Sequence, residues 1–347
     1  MVISYLTSIM SGSKRGAVAV LLSGVFRMLS VIYAAGVRMV WFGYNSGIRR
    51  VHIPPVAVVS VGNLTLGGTG KTPMVVCAAE HFLSLGRKPA VLTRGYGNDE
   101  CRMLAEALPE VPVYKGQDRY KNALRASRDG RDVVILDDGF QHRRIGRDLN
   151  ILLVDGRNLF GNGLIFPGGM LREPVSAAGR ADIVVVTKTD GVTGEKLKEI
   201  KNYIGKIAPG KPVVISRYEP VSFSDVKGTF YGLETLKGRD ICAVSGIADP
   251  SYFEDVLKEI GCGIVKKYYF PDHYGYEQKN LTEIAKACSS AGIRTIVTTA
   301  KDFVKMRDLD ISGMSDKVLI LNVKMKITEG KEQLSARFDS VFSRCGS

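Results

Sequence analysis

The segment that most restricts the fold is SVGNLTLGGTGKTP, residues 60–73. It follows the β-branched run VAVVSVG and precedes KTPMVVCAAEHFLSLG, whose apolar spacing predicts a helix over 71–86. A strand, a glycine-rich turn and a helix, in that order, are the context of the phosphate-binding loop G-x-x-x-x-G-K-[ST]. Thr65 occupies the position of the first glycine in that pattern. Gly67 and Gly68 follow closely and can supply the unusual backbone dihedral angles instead.

This loop offers the groups that hold nucleotide phosphates. Its glycines let backbone N–H groups turn inward, Lys71 supplies a cation to the β- and γ-phosphates, and Thr72 offers a hydroxyl to Mg²⁺. We therefore predict a nucleotide-binding loop. Its residues are Thr65, Leu66, Gly67, Gly68, Thr69, Gly70, Lys71 and Thr72.

A second motif, VVILDDGFQH, places an acidic pair at the end of an apolar run. Asp137 and Asp138 would lie at the tip of a strand beside the loop, where a carboxylate holds Mg²⁺ directly or through water. An acidic pair before a glycine is also typical of a solvated turn. The phosphate-binding loop upstream favours the metal-binding interpretation.

The segment VVVTKTD, residues 184–190, supports a competing hypothesis. Thr187, Lys188 and Asp190 fit the [NT]-K-x-D motif that reads guanine in GTPases, and TTAKD at 298–302 could stand for the later loop that contacts the base. This alternative predicts a GTP-binding switch or a metal-delivery GTPase. Lysine and aspartate at a strand end are also commonly solvent-facing.

Continuous apolar runs separated by helix-length segments predict a mostly parallel sheet covered on both faces. After the first run, further strands are expected at 88–96, 131–139, 150–156, 181–190 and 212–220. A looser stretch follows. A second series then reads as strand, helix, strand, helix, strand and strand in DICAVSGI, SYFEDVLKEIG, CGIVKKYYF, NLTEIAKACSSAG, RTIVTTAKD and KVLILNVKMKI.

The 347-residue chain is long enough for two domains. We expect an N-terminal membrane-associating helix in residues 1–50, a P-loop domain in 51–220 and a smaller α/β domain in 221–347. Six cysteines lie far apart with no C-x-x-C pair, so free thiols are expected rather than zinc or a redox motif.

The net charge of +13 is concentrated near the N-terminus. Seven basic residues precede the first acidic one, Glu80: Lys14, Arg15, Arg27, Arg38, Arg49, Arg50 and Lys71. The chain has no basic aromatic stripe and no helicase-like motif, so nucleic acid is not expected as a partner.

Residues 14–50 are apolar, but Arg27 and Arg38 divide them into uncharged runs shorter than the roughly 20 residues of a membrane span. Ser23, Arg27, Ser30, Ala34 and Arg38 recur on one helical stripe. This pattern favours a helix in the membrane interface, with Trp41 and Tyr44 at headgroup depth and arginines facing anionic lipid. A signal peptide, a buried helix and a true span are the alternatives.

The motifs together resemble one family. SVGNLTLGGTGKTP, LTRGY, DRY, LDDGFQHRRIGRDLNILLVDG, PGGMLREP, RADIVVVTK and FPDHYGY occur in the order found in tetraacyldisaccharide 4′-kinase, the lipid A 4′-kinase of Gram-negative bacteria. The resemblance covers essentially the whole chain. The family also carries Ser or Thr at the position of Thr65.

The resemblance implies ATP- and Mg²⁺-dependent phosphorylation of the 4′-hydroxyl of a tetraacyl glucosamine disaccharide 1-phosphate. It implies a location at the cytoplasmic face of the bacterial inner membrane, with the enzyme peripheral or monotopic. The implied fold is a P-loop α/β domain with a smaller α/β domain and an active site in the cleft between them. The lipid A precursor and an anionic membrane surface are the expected partners, and no obligate protein partner is expected.

The resemblance also implies roles for individual residues. Lys71 and Asp138 act in catalysis, with Asp99 as the base and His273 as its partner. The magnesium and nucleophile-side residues are Thr72, Asp137, Asp138 and Gln141. The substrate-binding residues are Asn63, Arg94, Arg119, His142 and Arg172, of which the arginines suit sugar or phosphate contacts.

The chain departs from the family's pattern around the expected base. The segment between RGY and NDE is shorter than usual, Asn98 replaces a glycine, and Cys101 replaces the proline of GDEP. The motif PGGMLREP also differs from the commoner PAGPLREP. The departures near NDE affect the loop that positions Asp99. The departure in PGGMLREP affects the residues that precede Arg172.

Overall fold

The computed structural model describes residue 10 and residues 16–95, 99–311, 313–314 and 318–343. Lys14, Arg15, Asn98 and Cys345, which entered the sequence predictions, lie outside the described residues. Within the described part, the cysteines are free thiols, as expected: Cys77, Cys101, Cys242, Cys262 and Cys288.

The chain forms two compact units, and each draws on separate stretches of sequence. The first comprises Met1–Tyr96, Ala107–Arg217 and Ile327–Ser347, and the second comprises Gly97–Glu106 and Tyr218–Lys326. The domain bounds expected from the sequence, 1–50, 51–220 and 221–347, stay a prediction.

The strands and helices are numbered in chain order. The strands are β1 Ala57–Asn63, β2 Pro89–Thr93, β3 Val113–Lys115, β4 Val133–Asp137, β5 Leu149–Asp155, β6 Ile183–Thr187, β7 Val213–Asp225, β8 Phe230–Tyr231, β9 Asp240–Ser245, β10 Gly263–Tyr269, β11 Thr295–Thr299 and β12 Val318–Glu329. The helices are α1 Ala17–Asn45, α2 Lys71–Ser84, α3 Asp99–Ala107, α4 Arg119–Arg128, α5 Gly194–Ile207, α6 Pro250–Ile260, α7 Gln278–Ser290, α8 Ala300–Met306 and α9 Lys331–Ser343. Short 3₁₀ helices cover Val175–Arg180 and Leu233–Leu236.

The first unit is built on parallel strands in the order β7-β6-β5-β1-β4-β2-β3. Every residue of β1, β2, β4 and β6 is buried, because helices cover both faces of a parallel sheet. This arrangement confirms the mostly parallel α/β fold. It also places the ends of β1 and β4 next to each other, since parallel neighbours end at the same edge.

The second unit contains β10, β9, β11 and β12 as successive parallel neighbours, and β8 pairs antiparallel with β7. The expected strand over RTIVTTAKD is wrong in its last three residues. Strand β11 ends at Thr299, whose hydroxyl accepts a hydrogen bond from the Asp302 N–H at 3.2 Å. This cap begins helix α8 at Ala300.

Helix α1 is long and apolar enough, by length and composition, to cross a membrane, and most of it is not buried in the protein. One face of the helix contacts the rest of the first unit through Ser30. The Ser30 hydroxyl donates to the Ile165 carbonyl at 2.7 Å and accepts from the Gly168 N–H at 2.8 Å. The exposed face carries large apolar residues: Val18, Val20, Leu21, Met28, Val31, Ile32, Met39 and Phe42.

Trp41 has a contact that the sequence did not predict. It is half-buried and packs against the core of the first unit, with the Arg180 guanidinium 5.0 Å from its ring centroid, and its expected position at headgroup depth stays a prediction. The physical reason is the helical period, which turns Trp41 toward the same side as Ser30 and Ala34, both buried.

Candidate active site

The turn between β1 and α2 has the backbone of a phosphate-binding loop. Gly70 adopts a left-handed conformation at φ 89°, and Gly67 lies at φ 112°, conformations that favour glycine. Lys71 is the first residue of α2, a helix of 14 residues. The free backbone N–H groups and the helix dipole at such an N-terminus attract anions.

Neighbouring backbone holds the first half of this loop. Thr65 pairs with Leu171, and the Leu66 N–H donates to the Met170 carbonyl at 2.7 Å. The Asn63 amide contacts the Gly67 carbonyl at 3.4 Å. The assignment of Thr65, Leu66 and Asn63 to ligand binding stays a prediction, but their contacts show that they shape the loop.

Thr187 holds the second half of the loop. Its buried hydroxyl donates to the Thr69 carbonyl at 2.9 Å. The next residue, Lys188, is also buried and forms an ion pair of 2.7 Å with Asp155. Two residues of the TKTD motif therefore have structural contacts that do not require a guanine base.

Asp138 is the charged centre of the site. Its carboxylate lies 3.3 Å from Lys71 Nζ and accepts hydrogen bonds from Arg172 Nη1 at 2.7 and 2.9 Å. Burial opposes its ionisation, but Lys71 and Arg172 outweigh that effect and hold the pKa of Asp138 below its usual range. Asp138 therefore stays ionised at neutral pH.

Gln141 joins this centre to the end of β1. Its side-chain oxygen lies 3.4 Å from Arg172 Nη1, and its side-chain nitrogen donates to the Asn63 carbonyl at 2.8 Å. The turn between β4 and Gln141 also packs closely on β1. A Cβ atom at Gly62 would lie 2.7 Å from the Phe140 Cβ, so this contact requires glycine.

A basic cluster lies beside the acidic pair. Arg119 is buried and donates to the backbone carbonyl of Asp137 at 2.6 Å. Burial, together with Arg119, Arg94 and other arginines, lowers the pKa of His142 to about 4. His142 is therefore neutral at pH 7, while the surrounding cations favour an anionic ligand.

The residues present fit a nucleotide with Mg²⁺. Within the described residues, two buried side-chain oxygens next to the loop, Asn63 Oδ1 and Thr69 Oγ1, have no hydrogen-bond partner. No cluster of three or more acidic, histidine or cysteine ligands occurs in the described ranges. That agrees with Mg²⁺, which is commonly held by one or two protein oxygens together with substrate phosphates and water.

The second unit brings together the two residues expected to handle the proton. Asp99 Oδ2 lies 3.9 Å from His273 Nδ1, an ion-pair distance rather than a hydrogen bond. Asp99 begins helix α3, and His273 lies in the turn after β10 at φ 59°, an unusual backbone conformation for a residue with a side chain. Asp99 is largely buried, whereas the His273 side chain is 53% exposed.

Comparison with known proteins decides the family. The model of the family described as Tetraacyldisaccharide-1-P 4′-kinase matches residues 22–343. The chain belongs to this family. The resemblance predicted from the sequence motifs is thereby confirmed.

Curated relatives carry the family's name. A tetraacyldisaccharide 4′-kinase of Desulfatibacillum aliphaticivorans is 36% identical over 327 residues, covering 85% of this chain and 86% of the relative. A second, from Syntrophus aciditrophicus, is 34% identical over 341 residues, covering 89% and 91%. The chain is thus a kinase by family.

A solved structure of the family has the same fold. The LpxK structure from Aquifex aeolicus, in complex with ATP, matches with a TM-score of 0.73 and 30% identity, covering 92% of this chain and 99% of that one. The family fold extends over nearly the whole chain.

Of the residues predicted from the sequence, Lys71, Asp138, Gln141 and Arg172 form one connected cluster. Arg119 and His142 lie beside it, and Thr72 follows Lys71 in α2. The roles assigned to these residues stay predictions. Sequence reasoning gave no catalytic role to Lys301, near the end of a predicted strand, or to Lys305, which follows that strand, although their spacing of four could have been tested against a helix.

Proposed function

We propose that this chain transfers the γ-phosphoryl group of ATP to the 4′-hydroxyl of a tetraacyl glucosamine disaccharide 1-phosphate in lipid A biosynthesis. One observation carries the proposal. Lys71, the first residue of α2, and Asp138, which directly follows β4, lie 3.3 Å apart beside a glycine turn in the left-handed conformation, in a chain of the kinase family.

The loop residues bind the nucleotide. Backbone N–H groups from Gly67 to Thr72 surround the phosphates, and Lys71 stabilises charge that develops on the transferred group. Thr72, Asp137, Asp138 and Gln141 would hold Mg²⁺, which supplies charge neutralisation to the phosphates when bound. Asp138 is suited to this role because it stays ionised at neutral pH.

The hydroxyl of the lipid is the nucleophile. The Asp99 carboxylate accepts the hydroxyl proton as the oxygen forms its bond to the γ-phosphorus, while the bond from that phosphorus to the ADP oxygen breaks. His273 orients Asp99. The products are ADP and the lipid with a phosphate at the 4′ position.

The basic cluster binds the substrate's anionic and sugar groups. Arg119, Arg172 and Arg94 supply positive charge, and neutral His142 and Asn63 supply hydrogen-bonding groups. A guanidinium that is partly desolvated binds phosphate more strongly than one in bulk water.

Helix α1 attaches the protein to the cytoplasmic face of the bacterial inner membrane. Its exposed apolar face and its exposed Arg27 and Arg38 suit an anionic lipid surface. The acyl chains of the substrate cannot leave the bilayer, so an enzyme bound at the surface meets its hydroxyl there.

The test is a phosphotransfer assay in mixed micelles with ATP labelled at the γ-phosphate, Mg²⁺ and the disaccharide 1-phosphate lipid. The expected result is one labelled product carrying the new phosphate at the 4′ position. A parallel reaction with labelled GTP measures base preference. GTP hydrolysis without any labelled lipid would overturn the proposal and support the GTPase alternative.

A further inference from the structure

Helix α8 presents two lysines on one face. Lys301 and Lys305 are four residues apart, so their side chains leave the helix on the same side. Both lie in the second unit with Asp99 and His273. The proposed reaction gives neither lysine a role.

Lys305 is directed at Asp99. Its Nζ lies 3.8 Å from Asp99 Oδ2, and the two side chains are only 11% and 14% exposed. Over the described part of the chain, this ammonium has no hydrogen-bond acceptor. A buried cation without other support is costly, so the Asp99 carboxylate is its main counter-charge.

Lys301 is directed at the turn that carries His273. Its Nζ forms an ion pair of 2.9 Å with Asp272 and lies 3.4 Å from His273 Nε2. Burial opposes ionisation of Asp272, but Lys301 and His273 outweigh it and keep its pKa below the usual range. The charged Lys301–Asp272 pair therefore persists at neutral pH.

Lys301 and Asp272 both lie next to the Nε2 of His273. Asp272 Oδ2 is 3.8 Å from Nε2, whereas the Lys301 ammonium is closer at 3.4 Å and can only donate, so a hydrogen bond between Lys301 and the ring requires Nε2 to accept. In the neutral ring the proton then lies on Nδ1, the nitrogen that faces Asp99 at 3.9 Å. The same tautomer can donate toward the Asp99 carboxylate.

Helix α8 is itself fixed in place. Asp302 is fully buried, and its two carboxylate oxygens accept hydrogen bonds from Tyr276 at 3.1 Å and Thr299 at 2.7 Å. Tyr276 lies just beyond the His273 turn. Both lysines are therefore presented from a rigid support.

Two exposed ion pairs connect α3 to the residues just after α8 without reaching Asp99. Arg102 of α3 pairs with Asp308 at 2.6 Å, and Arg307 pairs with Glu106. Exposed pairs of this kind contribute little to stability. The substitution Arg102→Met is therefore a matched control, because it removes an ion pair of α3 without removing a contact to Asp99.

From these contacts we infer that Lys305 and Lys301 are positioning residues for phosphoryl transfer, Lys305 by holding the Asp99 carboxylate and Lys301 by setting the tautomer of His273. The inference rests on the proposed function, in which Asp99 accepts the hydroxyl proton. By this inference, helix α8 aligns both Asp99 and His273.

The kinetic test compares full-length Lys305→Met, Lys305→Arg and Arg102→Met in the mixed-micelle assay. Lys305→Met should lower kcat about 10- to 100-fold with little change in KM for ATP, because displacement of a reacting group by about 1 Å can have that effect. Lys305→Arg should recover part of the loss, since the charge is restored. Arg102→Met should stay near the unchanged protein.

A double-mutant cycle separates positioning from direct substrate contact. Lys305→Met should have little further effect when Asp99 is already changed to Asn. An undiminished effect in that background would mean that Lys305 acts independently of Asp99, and the inference would fail. If Asp99→Asn lowers kcat but Lys305→Met does not, the inference fails while the proposed function stands. If Asp99→Asn itself leaves kcat unchanged, the proposed proton acceptor is wrong.

The tautomer is measured separately by ¹⁵N NMR of protein labelled at histidine. His273 should show a protonated Nδ1 in the unchanged protein and shift toward a protonated Nε2 in Lys301→Met. His273→Gln assigns the signal. An identical tautomer in both proteins would overturn the role of Lys301, even if Lys301→Met slowed turnover by disturbing the fold.

Discussion

Lys71 Nζ lies 3.3 Å from Asp138 Oδ1, so the lysine of the glycine-rich loop and the carboxylate directly after β4 form an ion pair. Arg172 holds the same carboxylate from another side. Phosphates bound at the loop would compete with Asp138 for Lys71, because both are anionic. Arg172 would keep Asp138 in place during that exchange.

Replacement of Lys71 tests the loop. Lys71→Ala should lower kcat at least about 100-fold, because it removes a cation that stabilises the transferred phosphoryl group. Lys198→Ala on the exposed face of α5 is the control and should keep normal turnover. Retention of a tenth or more of the activity by Lys71→Ala would contradict the assignment.

Arg172 should control the ionisation of Asp138. In Arg172→Met, the effect of burial is opposed mainly by Lys71, so the pKa of Asp138 should rise from its depressed position. Carbon NMR of labelled aspartate carboxyl groups between pH 2 and about 7 measures the change. An unaltered Asp138 titration would show that Arg172 does not set its charge.

His142 should make stability depend on pH. Its pKa is lowered from 6.5 to about 4, so the unfolded chain binds the proton more readily, and stability is lost as pH falls from 6.5 toward 4. After allowance for solvent screening of this half-buried group, the loss between pH 7 and 5 is roughly 1 to 2 kcal/mol. Urea unfolding should show that His142→Gln loses less stability over this range than the unchanged protein. Equal losses would contradict the buried, neutral state.

Substitutions at two neighbouring residues of α1 should separate the contribution of this helix to folding from its contribution to membrane attachment. Trp41 packs on the core, so Trp41→Ala should lower the free energy of unfolding by about 2 to 4 kcal/mol. Phe42 is 67% exposed, so Phe42→Ala should leave unfolding nearly unchanged but weaken binding to anionic vesicles about 10-fold. Vesicle sedimentation and thermal unfolding measure the two effects. Equal vesicle binding by Phe42→Ala and the unchanged protein would place attachment elsewhere.

Local pattern predicted much of the first unit. The apolar runs predicted β1 and β4 to within two residues and β6 to within three, because strands of a parallel sheet are buried throughout their length. The helix beginning at Lys71 followed from its spacing and the glycines before it. The nearness of Asp138 to Lys71 followed from the rule that parallel strands end at one edge.

Contacts between distant residues could not be predicted in this way. Nothing local to Lys305 indicates that it faces Asp99, because that pairing depends on where α3 and α8 pack. The run RTIVTTAKD suits a strand by composition, and only the Thr299 cap ends it early. Tryptophan is a residue type typical of the membrane interface, but the direction of the Trp41 side chain depends on the contact by which Ser30 holds α1 against the first unit.

The contacts of Ser30 with Ile165 and Gly168 also fix the rotation of α1 about its own axis. Apolar side chains cover most of the surface of α1, so hydrophobic burial alone would favour one rotation only weakly. A turn of α1 would break both contacts with Ser30, although the Ile165 carbonyl would keep the Gly168 and Gly169 N–H groups at 3.0 and 3.1 Å, so each lost hydrogen bond costs about 0.5 to 1.5 kcal/mol. The body of the protein, rather than its surroundings, therefore decides which side chains of the helix point outward.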